Sequence, residues 1–132
     1  MLTISAACDA TDPQGLVLDE SALVRLAELD PSGSAGLVPR VLRTYVASLQ
    51  RLLPQAGAAL SANDAAALRY VAHTLKSSSA SVGAQRLAAV CLSLERRLTP
   101  PARIDCPELV AQLLAEGHSA CAAVEQRLSD TA

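Results

Sequence analysis

The sequence predicts an all-α fold: an antiparallel, up-down-up-down four-helix bundle with a short extra N-terminal helix. Three observations carry this expectation. Apolar residues recur at three- and four-residue spacing through one short and four long segments, and no segment alternates with period two. Leu and Ala, both strong helix formers, dominate a chain with no Trp and no Phe, so its core must be aliphatic. The breaks between the long segments are short, which favours antiparallel neighbours. At 132 residues the chain reads as one domain with length enough for a real core.

Residues 1–17 carry Pro13 and Gly15 without periodicity and read as a flexible leader, ahead of a bundle over 18–129 and a frayed polar tail, 130–132. The short helix starts at Leu18-Asp19-Glu20, where Asp19 can accept from the first free amides and Leu18 can staple against Leu23. Its apolar face is Leu23, Leu26, Ala27 and Leu29, and Asp30-Pro31-Ser32-Gly33 ends it. The first long helix begins between Ser34 and Val38, with Pro39 tolerable only in its first turn. Val38, Val41, Leu42, Tyr45, Leu49, Leu52, Leu53, Ala56 and Leu60 keep helical period past Pro54, which should kink this helix rather than stop it.

Asn63 is a plausible cap for the next helix, and Gly83 is the natural left-handed residue to end it. A further helix from Ala84 to Leu98 turns Leu87, Val90, Cys91, Leu94 and Leu98 inward, and Pro100-Pro101 closes it. Asp105 and Glu108, around Pro107, mark the start of the last helix. Leu109, Val110, Leu113, Gly117, Cys121, Val124 and Leu128 form its core face.

Several function classes are excluded at this level. A net charge of −2, with no basic run and no aromatic ladder, leaves no electrostatic footprint for nucleic acid. No apolar run approaches the eighteen or so residues of a membrane span, and the apolar start, Met1 to Cys8, lacks a basic leader. The four cysteines, Cys8, Cys91, Cys106 and Cys121, make no CxxC pair and no ligand spacing with His73 or His118. Cys91 and Cys121 fall on apolar stripes, where a thiol is a small hydrophobe. A cytoplasmic, monomeric protein is the expectation.

The segment from Leu68 to Gly83 carries the chemistry. Leu68, Val71, Ala72, Leu75, Ser79 and Val82 form a stripe to bury. His73 points about 140° from the middle of that stripe and shares its outward face with Arg69, Lys76, Ser77 and Ala80. Lys76 and Ser77, three and four residues on, are its surface neighbours. Lys76 is the only lysine in a chain with ten arginines, a compact ammonium where every other cation is a planar guanidinium. Ser79 should turn its hydroxyl back to a backbone carbonyl. A lone exposed histidine is ordinarily a solvated side chain, which is the reading for His118. His73 differs because its neighbours make chemical sense together: a neutral imidazole offers a free ring nitrogen as nucleophile.

The residues His73, Leu75, Lys76, Ser78, Ser79, Gly83, Ala84, Leu87, Cys91 and Glu95 resemble the signature of the histidine-containing phosphotransfer family, His-x-Leu-Lys-Gly-Ser-Ser/Ala and a downstream Gly, Leu and Cys. Ser77 departs from it, standing where that family most often has glycine. The resemblance extends over roughly residues 16 to 129 and implies a four-helix bundle capped at one end by a short helix. It implies that His73 is a phosphoacceptor, that Lys76 steadies the phosphoryl oxygens, and that Glu95 can orient the imidazole through its N–H. A surface carboxylate with no such role is the alternative for Glu95.

The implied function is a phosphocarrier in a multistep phosphorelay. A receiver-domain aspartyl phosphate would pass to His73 and on to another receiver. The partners would be receiver domains of response regulators or of a hybrid sensor kinase, docking over Arg69, Ser77 and Ala80. No cofactor of its own is implied, and any Mg²⁺ would sit on the receiver. With no P-loop and no kinase glycine loop, autophosphorylation from ATP is not expected. One rival is a docking or inhibitory module that binds a receiver or kinase without carrying phosphate, for which Ser77 leaves room. Another, a small hydrolase with a histidine base, lacks a convergent nucleophile and a third orienting group.

Overall fold

A computed structural model describes residues 17–100 and 102–130. Residues 1–16, most of the expected leader and including Cys8, lie outside the described residues, as do Pro101 and the last two residues of the expected tail. Five helices follow in order: α1 (Glu20–Ala27), α2 (Leu37–Ala62), α3 (Ala65–Val82), α4 (Gln85–Arg97) and α5 (Pro107–Asp130). The described residues contain no strand. Each long helix packs on two others, α2 on α3 and α5, and α4 on α3 and α5. This closes an antiparallel ring of four, with α1 set against α2 and α3. The expected fold class is the observed one.

The core is aliphatic, as the composition requires. Leu42, Leu49, Leu52, Leu68, Leu75, Leu87, Leu94, Leu98 and Leu113 are its largest fully buried side chains. The whole anticipated stripe of α3, Leu68 to Val82, is buried. Where α5 packs on α2, bulk is excluded at one position: a Cβ at Gly117 of α5 would lie 2.5 Å from the Leu53 side chain of α2. Helix α2 continues through Pro54. Pro54 is exposed, and so is Gln50, whose carbonyl loses its helical partner there, so water can replace the missing bond.

The structure differs from expectation in four places. Asn63 does not cap α3. It ends α2 in the left-handed conformation, φ 53°, and its Oδ1 accepts from the Ile104 amide at 2.8 Å, pinning the α4–α5 connection. Asp64, one residue later, is the cap of α3, accepting from the Ala67 amide at 3.1 Å. Asn tolerates left-handed backbone better than other non-glycine residues, so it closes one helix while its neighbour opens the next. Leu29 lies beyond the end of α1 and is 75% exposed, outside the apolar face assigned to it.

Asp105 pairs with Arg97 at 3.3 Å instead of capping α5. The first amides of α5 go to the Cys106 carbonyl, which accepts from Leu109 and Val110, and Pro107 takes the first helical position, where its missing N–H costs nothing. Ser79 does not return its hydroxyl to a carbonyl. It meets the buried Tyr45 hydroxyl at 2.7 Å, and the neighbouring Ser78 is the one that turns back, to Leu75 O at 3.3 Å. Burial pushes the Tyr45 phenol well above its usual range, so it stays protonated and needs a partner.

Gly83 ends α3 at φ 88°, as expected, and has a second duty. Its carbonyl accepts from the Asp19 amide at 2.8 Å, and a Cβ there would lie 2.5 Å from the Asp19 carbonyl oxygen. Helix α1, capped by Asp19 on the Ser21 amide, is thereby clasped to the end of α3. An Arg127–Glu20 ion pair ties it to α5.

Two stability effects follow from these contacts. Gly83→Ala combines a left-handed penalty of about 1–2 kcal/mol with a collision against backbone, so urea denaturation should show a loss at or above that range. Ser79→Ala strands a buried phenol and should cost about 1–3 kcal/mol. Tyr45→Phe should cost less by the same assay, because the Ser79 hydroxyl can then fold back onto its own helix.

Candidate functional site

His73 sits midway along α3 with its side chain 64% exposed, flanked by exposed Ser77 and Ala80. The side chain that organises it comes from the next helix. Glu95, in the last turn of α4, is only 14% exposed and lies between two α3 residues. Its Oε2 is 2.6 Å from His73 Nδ1, and its Oε1 accepts from Lys76 Nζ at 2.5 Å. Helical spacing explains the arrangement. His73 and Lys76 are three residues apart and present their side chains one turn from each other, which matches the two oxygens of one carboxylate.

The electrostatics fix the chemistry of the ring. The hydrogen bonds from Lys76 and then His73 hold the Glu95 carboxyl down at about 2, far below the usual carboxylate range. At physiological pH it is a carboxylate and can only accept. Nδ1 must therefore carry the proton of the neutral ring, which leaves the lone pair on Nε2. Lys76, one-third exposed, uses one of its three N–H donors on Glu95.

Beside this pair lies an open depression of about 430 Å³, lined by Arg69, Lys76, Glu95, Arg96 and Thr99. Arg69 is half-buried there, and its Nε donates to Thr99 Oγ1 at 2.9 Å. The expected site residues His73, Lys76 and Glu95 are brought together, and Arg69, Ser77 and Ala80 surround them on the same side. His118 is exposed on α5. Sequence reasoning missed Tyr70, 56% exposed and three residues before His73. The same helical arithmetic that found Ser77 places it on this face. It also missed Thr99, which reads in sequence only as the residue before a proline.

Among the described residues, no group of three or more His, Cys, Asp or Glu side chains could hold a metal, and no helix is long and apolar enough to cross a membrane. Cys91, Cys106 and Cys121 are free thiols. Burial, with the Glu95 charge nearby, pushes Cys91 up to about 12, which keeps it a neutral packing group behind the site.

The depressed Glu95 value makes an acid-range prediction. A carboxyl lowered on folding contributes stability above its unfolded value, near 4.5, and loses it as pH falls through about 2. The difference in urea midpoint between the parent and Glu95→Gln should shrink as pH falls across that window. A difference that did not change with pH would separate the carboxylate from the stability of the site.

Comparison with known proteins agrees with the geometry. The family model described as the Hpt domain matches residues 40–130. The histidine-containing phosphotransfer protein B of Pseudomonas aeruginosa PAO1 superposes with a TM-score of 0.75 at 30% identity, over 89% of this chain and 98% of that one. The HPT domain of a Shewanella sensor hybrid histidine kinase gives 0.75 at 23% identity, covering 86% and 95% of the two chains. A rice protein described as a putative histidine-containing phosphotransfer protein gives 0.63 at 21%, covering 86% and 84%, a likeness of fold. No functionally curated protein matches significantly. With most of its length matched by the family model and a 30% identical relative covered almost end to end, this chain belongs to the Hpt domain family.

Proposed function

We propose that this chain is the phosphohistidine carrier of a multistep phosphorelay, with His73 as the acceptor and Nε2 as its reactive atom. The observation that carries the reading is the Glu95 contact on Nδ1. It leaves the other ring nitrogen with its lone pair on an exposed side chain, where a whole protein domain can reach it. In the forward step the Nε2 lone pair attacks the phosphorus of a receiver's aspartyl phosphate. The bond from phosphorus to the carboxylate oxygen breaks, and the aspartate leaves as a carboxylate. The ring then carries the phosphoryl group on Nε2 and a proton on Nδ1, and Glu95 balances its charge. Attack by a second receiver's aspartate on the same phosphorus returns the electron pair to Nε2.

Lys76 stabilises the transferring group. Its two remaining N–H donors are available to phosphoryl oxygens, while Glu95 holds the ammonium beside the ring. Mg²⁺ comes with the receiver. A receiver docks over His73, with Arg69 at one side and the small residues Ser77 and Ala80 clearing its approach. One copy of the chain supplies every group named, so a monomer suffices.

Three variants test this reading. His73→Gln should abolish labelling by a phosphorylated receiver while His118→Gln retains it, with the circular dichroism melt unchanged in both. Labelling lost in His118→Gln alone would assign the acceptor to the wrong helix. Lys76→Ala should slow transfer about ten- to hundredfold, the equivalent of one charge-assisted hydrogen bond of about 1.5–3 kcal/mol. Ser77→Arg should stay folded yet weaken both receiver binding and transfer. A folded Ser77→Arg protein that bound like the parent would move the docking surface elsewhere.

A further inference from the structure

The carbonyls in the last turn of a helix have no backbone partner within it. In α4 one of them belongs to Glu95, only two residues from the helix end at Arg97. A side chain meets it: Thr99 Oγ1 donates to Glu95 O at 2.6 Å, while the Thr99 amide turns to Arg96 O at 3.4 Å. A hydroxyl has one proton to give. The second contact of Thr99 Oγ1 therefore runs the other way, and it accepts from Arg69 Nε at 2.9 Å. Arg69 lies on α3 four residues before His73, one turn back on the same face.

Two bridges thus cross from α3 to α4. One joins the Glu95 carboxylate to His73 and Lys76. The other joins Arg69 through Thr99 to the main chain of that same glutamate. We propose that Arg69 and Thr99 are positioning residues of the phosphotransfer site, a clamp that holds the main chain of Glu95 against α3. The carboxylate then meets Nδ1 at the right distance and keeps the lone pair on Nε2. The inference rests on the reading of His73 as phosphoacceptor.

The clamp has a physical reason to exist. Helix ends open more readily than helix middles, and Glu95 sits in a last turn. Misplacement by about 1 Å at a reacting group can cost on the order of a hundredfold in rate. Arg69 also adds a third cation to Arg96 and Arg97 near the negative end of α4, a contribution to helix stability alone. A test must separate that contribution from positioning.

Thr99→Val removes the hydroxyl and keeps the shape at an exposed position, and Thr99→Ser restores it. In ¹⁵N-labelled full-length protein, the His73 Nδ1–H resonance should be present in the parent and in Thr99→Ser, and broadened by water exchange in Thr99→Val. In transfer from a phosphorylated receiver, Thr99→Val should lower the maximal rate by about ten- to a hundredfold. The receiver concentration for half-maximal rate should stay unchanged, and Thr99→Ser should recover the rate. Arg69→Gln reaches the same bond from α3 and should lower the maximal rate likewise, while any rise in its half-saturating receiver concentration reports its place on the docking face. An unchanged Nδ1–H signal and parental rate in Thr99→Val would overturn the clamp, and so would a Thr99→Val protein that raised only the half-saturating concentration. The resonance needs no receiver, so it decides the clamp by itself. Labelling that survived His73→Gln would instead remove the functional reading on which the clamp rests.

Discussion

One carboxylate, shared between a ring nitrogen and an ammonium, is the constraint around which the exposed face of this bundle is arranged. Glu95 places its two oxygens on two side chains one helical turn apart, His73 and Lys76. The pair resolves a conflict. The histidine proposed as nucleophile must be open to a receiver, yet an open side chain is free to rotate and to exchange its proton between two nitrogens. A contact from below, made by a residue that is itself mostly covered, fixes the ring without covering it. Substituting glutamine for this glutamate would keep one acceptor oxygen but replace the one on Lys76 with a donor or leave it unmet. The acid at this position thus also decides where the lysine stands.

The rest of the fold holds α3 and α4 in the alignment that this contact demands. Leu68 and Leu75 of α3 and Leu87 and Leu94 of α4 are buried in one common core. The turn at Gly83 sets their register, and the same glycine is closed over by Asp19, so α1 braces the end from which both helices start their run toward the site. At the opposite end, Asn63 ties the connection after α4 to the end of α2 through the Ile104 amide. The His73–Glu95 pair is thereby bracketed by two polar tethers, one at each end of the bundle, while the middle relies on close aliphatic packing. Since such packing has little directional preference, the tethers and the Tyr45–Ser79 contact supply the specific alignment of the helices.

Much of this was legible in the sequence because it depends on periodicity. The stripe from Leu68 to Val82 is buried as its spacing requires, and the outward face of His73 follows from the same arithmetic. What periodicity does not carry is the pairing of polar groups across helices. Asn63 and Asp64 are both good capping residues, and only the left-handed backbone at Asn63 separates their roles. Asp105 looks like a cap until Arg97 is brought beside it by the fold. Ser79 had two possible partners, and the nearer in sequence lost to Tyr45, 34 residues away, because a buried phenol has nowhere else to go. Thr99 has no periodic signature at all. Its role exists only where the end of one helix is laid against the middle of another.

The placement of the two tyrosines gives the molecule built-in optical reporters. With no tryptophan, its near-ultraviolet emission comes from Tyr45 and Tyr70 alone. Tyr45 is 3% exposed in the core, and Tyr70 is 56% exposed one turn from the His73 ring. Quenchers dissolved in the buffer reach the second and not the first. Quenching therefore separates two events in one unlabelled protein: the protected fraction of the emission follows the core, and the quenchable fraction follows whatever covers the face around His73.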